Sequence, residues 1–188
     1  MRLTHLLLPL SAAVLLAACG STPPTRPSAP AVPVVSTAKQ AEANLSPASA
    51  SIVSGRLALV VEPGGVHVTG LIGGLQPLQV AGFHVHERGD CSAVDASSAG
   101  NHFNPAGQAH GRAGAGAHHL GDMDNLRADA QGRANVDVHL KGVTLGGGAA
   151  TDIAGRSLVV HANADDYRSQ PAGNAGVRIA CGLIRVTR

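Results

Sequence analysis

The feature that most limits what this chain can fold into is a period-2 alternation that recurs in short runs, with no sustained helical period anywhere. Residues 52–61 alternate apolar and polar or small side chains and stop at Pro63-Gly64-Gly65. Residues 66–71 follow and stop at Gly73-Gly74, so a hairpin is expected. Further strand-like runs cover residues 80–87, 132–140, 157–162 and 177–186. Successive side chains of a strand point to opposite faces, so such runs each bury one face. Between them lie two long Gly-rich stretches, Asp90 to Asp124 and Asn163 to Gly176. Loops of that length in a compact domain usually carry function. The expected class is all-β: an antiparallel sandwich or barrel carrying two large loops.

The start of the chain is of a different kind. Arg2 supplies a positive charge, and Leu6 to Leu10 with Ala12 to Ala18 forms an apolar stretch too short to span a bilayer. Residues 1–18 therefore read as a signal peptide, which takes the chain out of the cytoplasm. It ends in Leu16-Ala17-Ala18-Cys19, which resembles a bacterial lipobox, so Cys19 is the expected lipidation site and the membrane anchor. Residues 19–50, with Pro23, Pro24, Pro27, Pro30, Pro33 and Pro47 among Ser, Thr and Ala, read as an extended tether. The globular domain is expected over residues 51–188. The localisation this implies is the periplasm or cell envelope, as a membrane-anchored lipoprotein.

Composition narrows the function. A formal net charge of +2 gives no basic face for nucleic acid, and 2% aromatics leave no stacking platform for single strands. With Cys19 committed to lipid, Cys91 and Cys181 remain as one even pair in an exported chain, and such pairs close as a disulfide. That bond would pin the first long loop to the last strand.

Histidine is the unusual entry in the composition, at 10 residues. His84 and His86 are two apart on a strand, so both rings share one face. His102, His110, His118, His119 and Asp122 follow inside the first long loop, and His161 ends a strand. Burying several imidazoles together without a metal leaves acceptors unpaired. Imidazoles with one carboxylate and no free thiolate suit copper, zinc, iron or nickel, and argue against calcium, magnesium or an iron–sulfur cluster.

Five motifs then come in order. They are Gly82-Phe83-His84-Val85-His86-Glu87, Asn101-His102-Phe103-Asn104-Pro105, His119-Leu120-Gly121-Asp122, Leu158-Val159-Val160-His161 and Ala175-Gly176-Val177-Arg178-Ile179-Ala180-Cys181-Gly182. Together they resemble copper–zinc superoxide dismutase, most nearly its exported bacterial branch. The resemblance implies a Greek-key β-barrel and dismutation of superoxide to dioxygen and hydrogen peroxide. It implies copper on His84, His86, His102 and His161, and zinc on His102, His110, His119 and Asp122, with His102 as the bridge. It further implies that Asp165 joins a copper histidine to a zinc histidine, and that Arg178 attracts and orients the anionic substrate. His102 and Arg178 are thus the expected catalytic residues. The family includes monomers and homodimers.

One departure stands out. Asp124 occupies a position where the family has Gly in a Gly-Asp-x-Gly-Asn run, so it is expected either to alter the turn after the zinc carboxylate or to add a weak competing ligand. His67, His118 and His139 fall outside the motifs and read as structural or surface residues, and Phe83 and Phe103 as core. A metal buffer without turnover and a purely structural lipoprotein are the alternatives. Retention of every ligand and of Arg178 disfavours both.

Overall fold

The structure, a computed structural model, describes residues 34–188; the expected signal peptide, Cys19 and the tether as far as residue 33 lie outside these. Nine strands and one short 3-10 turn are present among the described residues: β1 (Gln40–Pro47), β2 (Ser54–Glu62), β3 (Gly65–Gly73), β4 (Val80–Ala81), β5 (Phe83–His86), β6 (Leu126–Arg127), β7 (Ala134–Lys141), β8 (Ser157–His161) and β9 (Arg178–Val186). Seven of them form one curled sheet in the order β5-β8-β9-β1-β2-β3-β7, and β4 pairs with β6. Every pairing between strands is antiparallel. The first strand, β1, lies between β2 and the last strand, β9, at the middle of the sheet. The all-β expectation and its strand runs hold to within a few residues at each end.

The concave face is the core. In β2, Leu57 and Leu59 are fully buried while Ala58 and Val60 face out, and Val66 and Val68 of β3 continue the same layer. Phe83 and Phe103 are both core residues, as expected. Each fully buried aliphatic side chain contributes about 1.5–3 kcal/mol relative to exposure.

One boundary is corrected. Residues 40–47, read as tether, form β1, which pairs with β2 on one side and β9 on the other. Ala41, Ala43 and Leu45 point into the core, between outward-facing or half-buried Gln40, Glu42, Asn44 and Ser46. The domain is tied down even earlier, since Thr37 and Ala38 donate backbone N–H bonds to Leu145 at 3.1 and 3.0 Å and Ser36 Oγ accepts from Leu145 N. The folded unit therefore starts near Ser36 rather than Ser51. Composition misleads here because Ala fills two of the three core positions, and its small side chain gives a weak hydrophobic signal.

Cys91 and Cys181 form the expected disulfide, across 90 residues. On the chain-entropy account a loop of that length stabilises by about 4–5 kcal/mol. The bond packs with Ala48, Ala96, Ala99 and Val159 in a small second cluster, so the first long loop is anchored to β9 beside Arg178.

Candidate metal centre

The loop between β5 and β6 is shaped by the edge of β5, whose backbone groups it must satisfy. Val85 N donates to Gly121 O at 2.9 Å, Phe103 N to Val85 O at 2.8 Å, and Glu87 N to Asn101 O at 2.9 Å. His86 thereby faces His102, and His84 faces Asp122, as isolated bridges. Two separate loop segments are thus laid against the strand that carries the first two histidines.

Two groups of ligating atoms result. His84, His86, His102 and His161 form one, and His102, His110, His119 and Asp122 the other; within each, one nitrogen or oxygen per residue lies within 4.8 Å of the rest. All seven residues are buried, and His102 belongs to both groups. The side chains expected from the sequence are therefore brought together, with none missing.

Hydrogen bonds fix which nitrogen is free in four of the rings. His86 Nδ1–H donates to Gly100 O at 2.9 Å and His161 Nδ1–H to Gly176 O at 3.2 Å. Their Nε2 atoms, 3.3 Å apart, are then both lone pairs and cannot bond to each other. Asp165 accepts from His84 Nε2–H at 2.8 Å and from His110 Nε2–H at 2.9 Å, leaving Nδ1 of each as a lone pair. His110 Nδ1 and His119 Nδ1 stand 3.1 and 3.3 Å from the oxygens of Asp122, yet neither makes a hydrogen bond. His84 Nδ1 and His102 Nε2 are likewise buried without a partner. Lone pairs aimed at one another and at a carboxylate repel unless a cation lies among them. The donor set, four imidazoles in one group and three imidazoles with a carboxylate in the other, suits copper and zinc.

Electrostatics agree. Burial lowers the pKa of His102 to about 4 and of His161 to about 3, and pushes His86 well below its ordinary value. These rings are neutral at neutral pH and available as ligands. Burial pushes the Asp165 carboxyl up, but hydrogen bonds from His84, the backbone N–H of Tyr167 and His110 outweigh it and hold the group below its usual range. Asp122 is held low in the same way, by His102 and His119.

A cavity of about 540 Å³ opens onto His86, His102 and His161, with Arg178 on its wall. The guanidinium is fixed by two carbonyls, Nη1 donating to Ala96 O and Nη2 to Gly100 O, each at 2.6 Å. Gly100 O is also the acceptor for His86, so Arg178 and that ring share one anchor.

Asp124 does not reach the second group. Its carboxylate pairs with Arg112 at 2.8 Å on the surface, which accounts for the unusual residue without a ligand role. His118 donates to Gly116 O and lies outside both groups. Sequence reasoning missed Asn125, which donates to Asp165 O at 2.9 Å and accepts from Asp165 N at 2.8 Å. The Asn of the Gly-Asp-x-x-Asn run was the available signal. It also missed Gln170, whose side chain clamps His110 by both backbone groups at 2.8 and 2.9 Å; nothing in its spacing marks it.

Comparison with known proteins agrees with this geometry. The family described as copper/zinc superoxide dismutase matches residues 53–184. The chain is 43% identical over 136 residues to superoxide dismutase [Cu-Zn] 2 of Aquifex aeolicus, covering 71% of this chain and 80% of that protein. It is 39% identical over 137 residues to superoxide dismutase [Cu-Zn] of Caulobacter vibrioides, covering 70% and 78%. Among solved structures, a SOD-like protein from Bacillus subtilis superposes with a TM-score of 0.69 at 32% identity, over 76% of this chain and 96% of that one.

Proposed function

The chain belongs to the copper/zinc superoxide dismutase family, an enzyme family with copper and zinc as cofactors, and on that premise we propose the role of each site residue. His84, His86, His102 and His161 hold copper; His102, His110, His119 and Asp122 hold zinc; His102 bridges the two. The observation that carries this reading is the His102 ring. Its Nε2 is buried with no partner on the side of the all-histidine group, while its Nδ1 is 2.9 Å from Asp122 in the other.

Copper, when bound, supplies the one-electron change by which one superoxide is oxidised to dioxygen and a second, with two protons, is reduced to hydrogen peroxide. His102, His110, His119 and Asp122 would supply four protein ligands to zinc, a donor set of the structural kind, and would thereby hold the long loop against β5. His102 Nε2 is the atom on this chain that takes up a proton and gives it back. Asp165 sets the tautomers of His84 and His110, so that both present Nδ1 inward. Arg178 draws the anion into the cavity and orients it, its charge acting where low-dielectric walls focus the field. An exported protein held at the cell envelope by lipid on Cys19 remains part of the proposal, supported by the lipobox-like run at residues 16–19.

The test is superoxide consumption by purified protein carrying one copper and one zinc per chain. Arg178→Ala lowers turnover about tenfold or more with metal content intact, and Arg178→Glu lowers it further. Arg178→Lys restores part of the rate, keeping charge but losing the planar fork. Wild-type rate at full copper from Arg178→Glu refutes the steering role.

A further inference from the structure

A second set of metal-ligating side chains lies outside the buried centre, on the outer face of β2, β3 and β7. His67 and His139 are direct cross-strand partners. Strand alternation turns both away from the core side occupied by Val66, Val68 and Leu140. Their rings stack with centroids 6.3 Å apart and planes 27° from parallel. Glu62 shares this face, two residues along β2 from Val60, the partner of His67. Its carboxylate spans the pair: Oε1 is 3.3 Å from His67 Nδ1 and Oε2 is 3.3 Å from His139 Nδ1. Asp137 completes the cluster, with Oδ1 2.6 Å from His67 Nε2.

The supporting contacts repeat those of the buried centre, but the ligand atoms do not converge as closely. The two rings meet different oxygens of Glu62, so these exposed side chains must close by rotamer adjustment to share one ion. Asp165 accepts a hydrogen bond from His110 Nε2–H and leaves its Nδ1 facing Asp122. On the surface, Asp137 accepts a hydrogen bond from His67 Nε2–H and leaves its Nδ1 facing Glu62. A carboxylate–histidine pair of this kind is the usual support of a metal-bound imidazole. In the neutral ring the freed lone pair faces a carboxylate, an arrangement that needs a cation, either a proton on Nδ1 or a metal ion.

We propose that Glu62, His67 and His139 form a surface site for one divalent transition-metal ion of the zinc and copper(II) class, with Asp137 orienting His67. Two imidazoles and a carboxylate suit that class and leave the remaining positions to water. The side chains of His67, His139 and Glu62 are 29%, 32% and 42% exposed, so the ion exchanges freely with solvent. It requires nothing of the catalytic centre, and no residue is shared.

The experiment uses protein already holding its copper and zinc. Zn²⁺ is titrated into it calorimetrically at about pH 8, where protons compete least for imidazole. Wild type takes up one further equivalent. His67→Ala/His139→Ala loses that equivalent but keeps both resident metals and the wild-type dismutation rate, which separates this site from the catalytic assignment. Asp137→Asn weakens the added ion about 10–100-fold. No additional uptake by wild type means the cluster holds a proton only, and overturns the proposal. Undiminished uptake by the double variant overturns it equally, because the ion then binds elsewhere.

Discussion

Gly173→Ala separates the positioning role of Asp165 from the general stability of its loop. Gly173 has φ +63°, and a Cβ there would overlap Asp165 Oδ1 and stand 2.7 Å from His110 Nε2. Those two atoms are the ends of one hydrogen bond. The loop cannot easily retreat, because Gly173 N donates to Ser169 O at 2.7 Å and its carbonyl accepts from Asp166 N at 2.9 Å. The carboxylate must therefore withdraw, losing its bonds to His110 and to His84, charge-assisted bonds worth about 1.5–3 kcal/mol each. Gly107 is the matched control: φ is +62° and nothing lies within 4 Å of a Cβ. Gly107→Ala carries the left-handed cost alone, about 1–2 kcal/mol. The expected result is that Gly173→Ala is less stable than Gly107→Ala by about 3 kcal/mol in denaturant unfolding of the metal-free proteins. Its zinc affinity, read by chelator competition with copper in place, falls about 10–100-fold, as for other lost supporting carboxylates. Equal zinc affinity in the two variants would refute the claim that Asp165 holds His110 in its ligating pose.

Asp122→Ala removes the carboxylate that lies against three imidazoles, so zinc is lost while copper stays; elemental analysis showing full zinc would break the assigned ligand set. Metal-free protein loses stability on acidification. An unfolded histidine protonates near 6.5, whereas folded His102 and His161 resist to about 4 and about 3. The unfolded chain therefore binds more protons across that window, and stability falls as pH drops from about 6.5 through about 4 and on to about 3. A denaturation midpoint unchanged between about pH 7 and about pH 5 would contradict this. Cys19→Ser moves the protein from the membrane to the soluble fraction with its specific activity unchanged, and a wild-type protein already soluble on fractionation excludes the lipid anchor.

The all-β class was legible in the sequence because alternation at period 2 is a local property: each run announces which face it buries. The His84–His86 pair was legible for the same reason. The remaining ligands were readable only through the order of the motifs, since no local rule says that His102, His110 and His161 meet. The disulfide followed from cysteine parity in a chain that reads as exported. Other features belong to the tertiary structure alone. β1 is a strand because β2 and β9 flank it, which lets Ala41 and Ala43 serve as core. The choice between Nδ1 and Nε2 at His84, His86, His110 and His161 is made by carbonyls of Gly100 and Gly176 and by Asp165, all distant in sequence from the rings they orient. Arg112 takes up the Asp124 carboxylate that sequence alone left free to compete for zinc. His67, His139 and Glu62 look unrelated along the chain and meet only through cross-strand register, in which a shift of one residue would turn either histidine to the opposite face. Local pattern determines which side of a strand a residue occupies; which residues then face one another is decided by pairing, because contact across a sheet depends on register and not on distance along the chain.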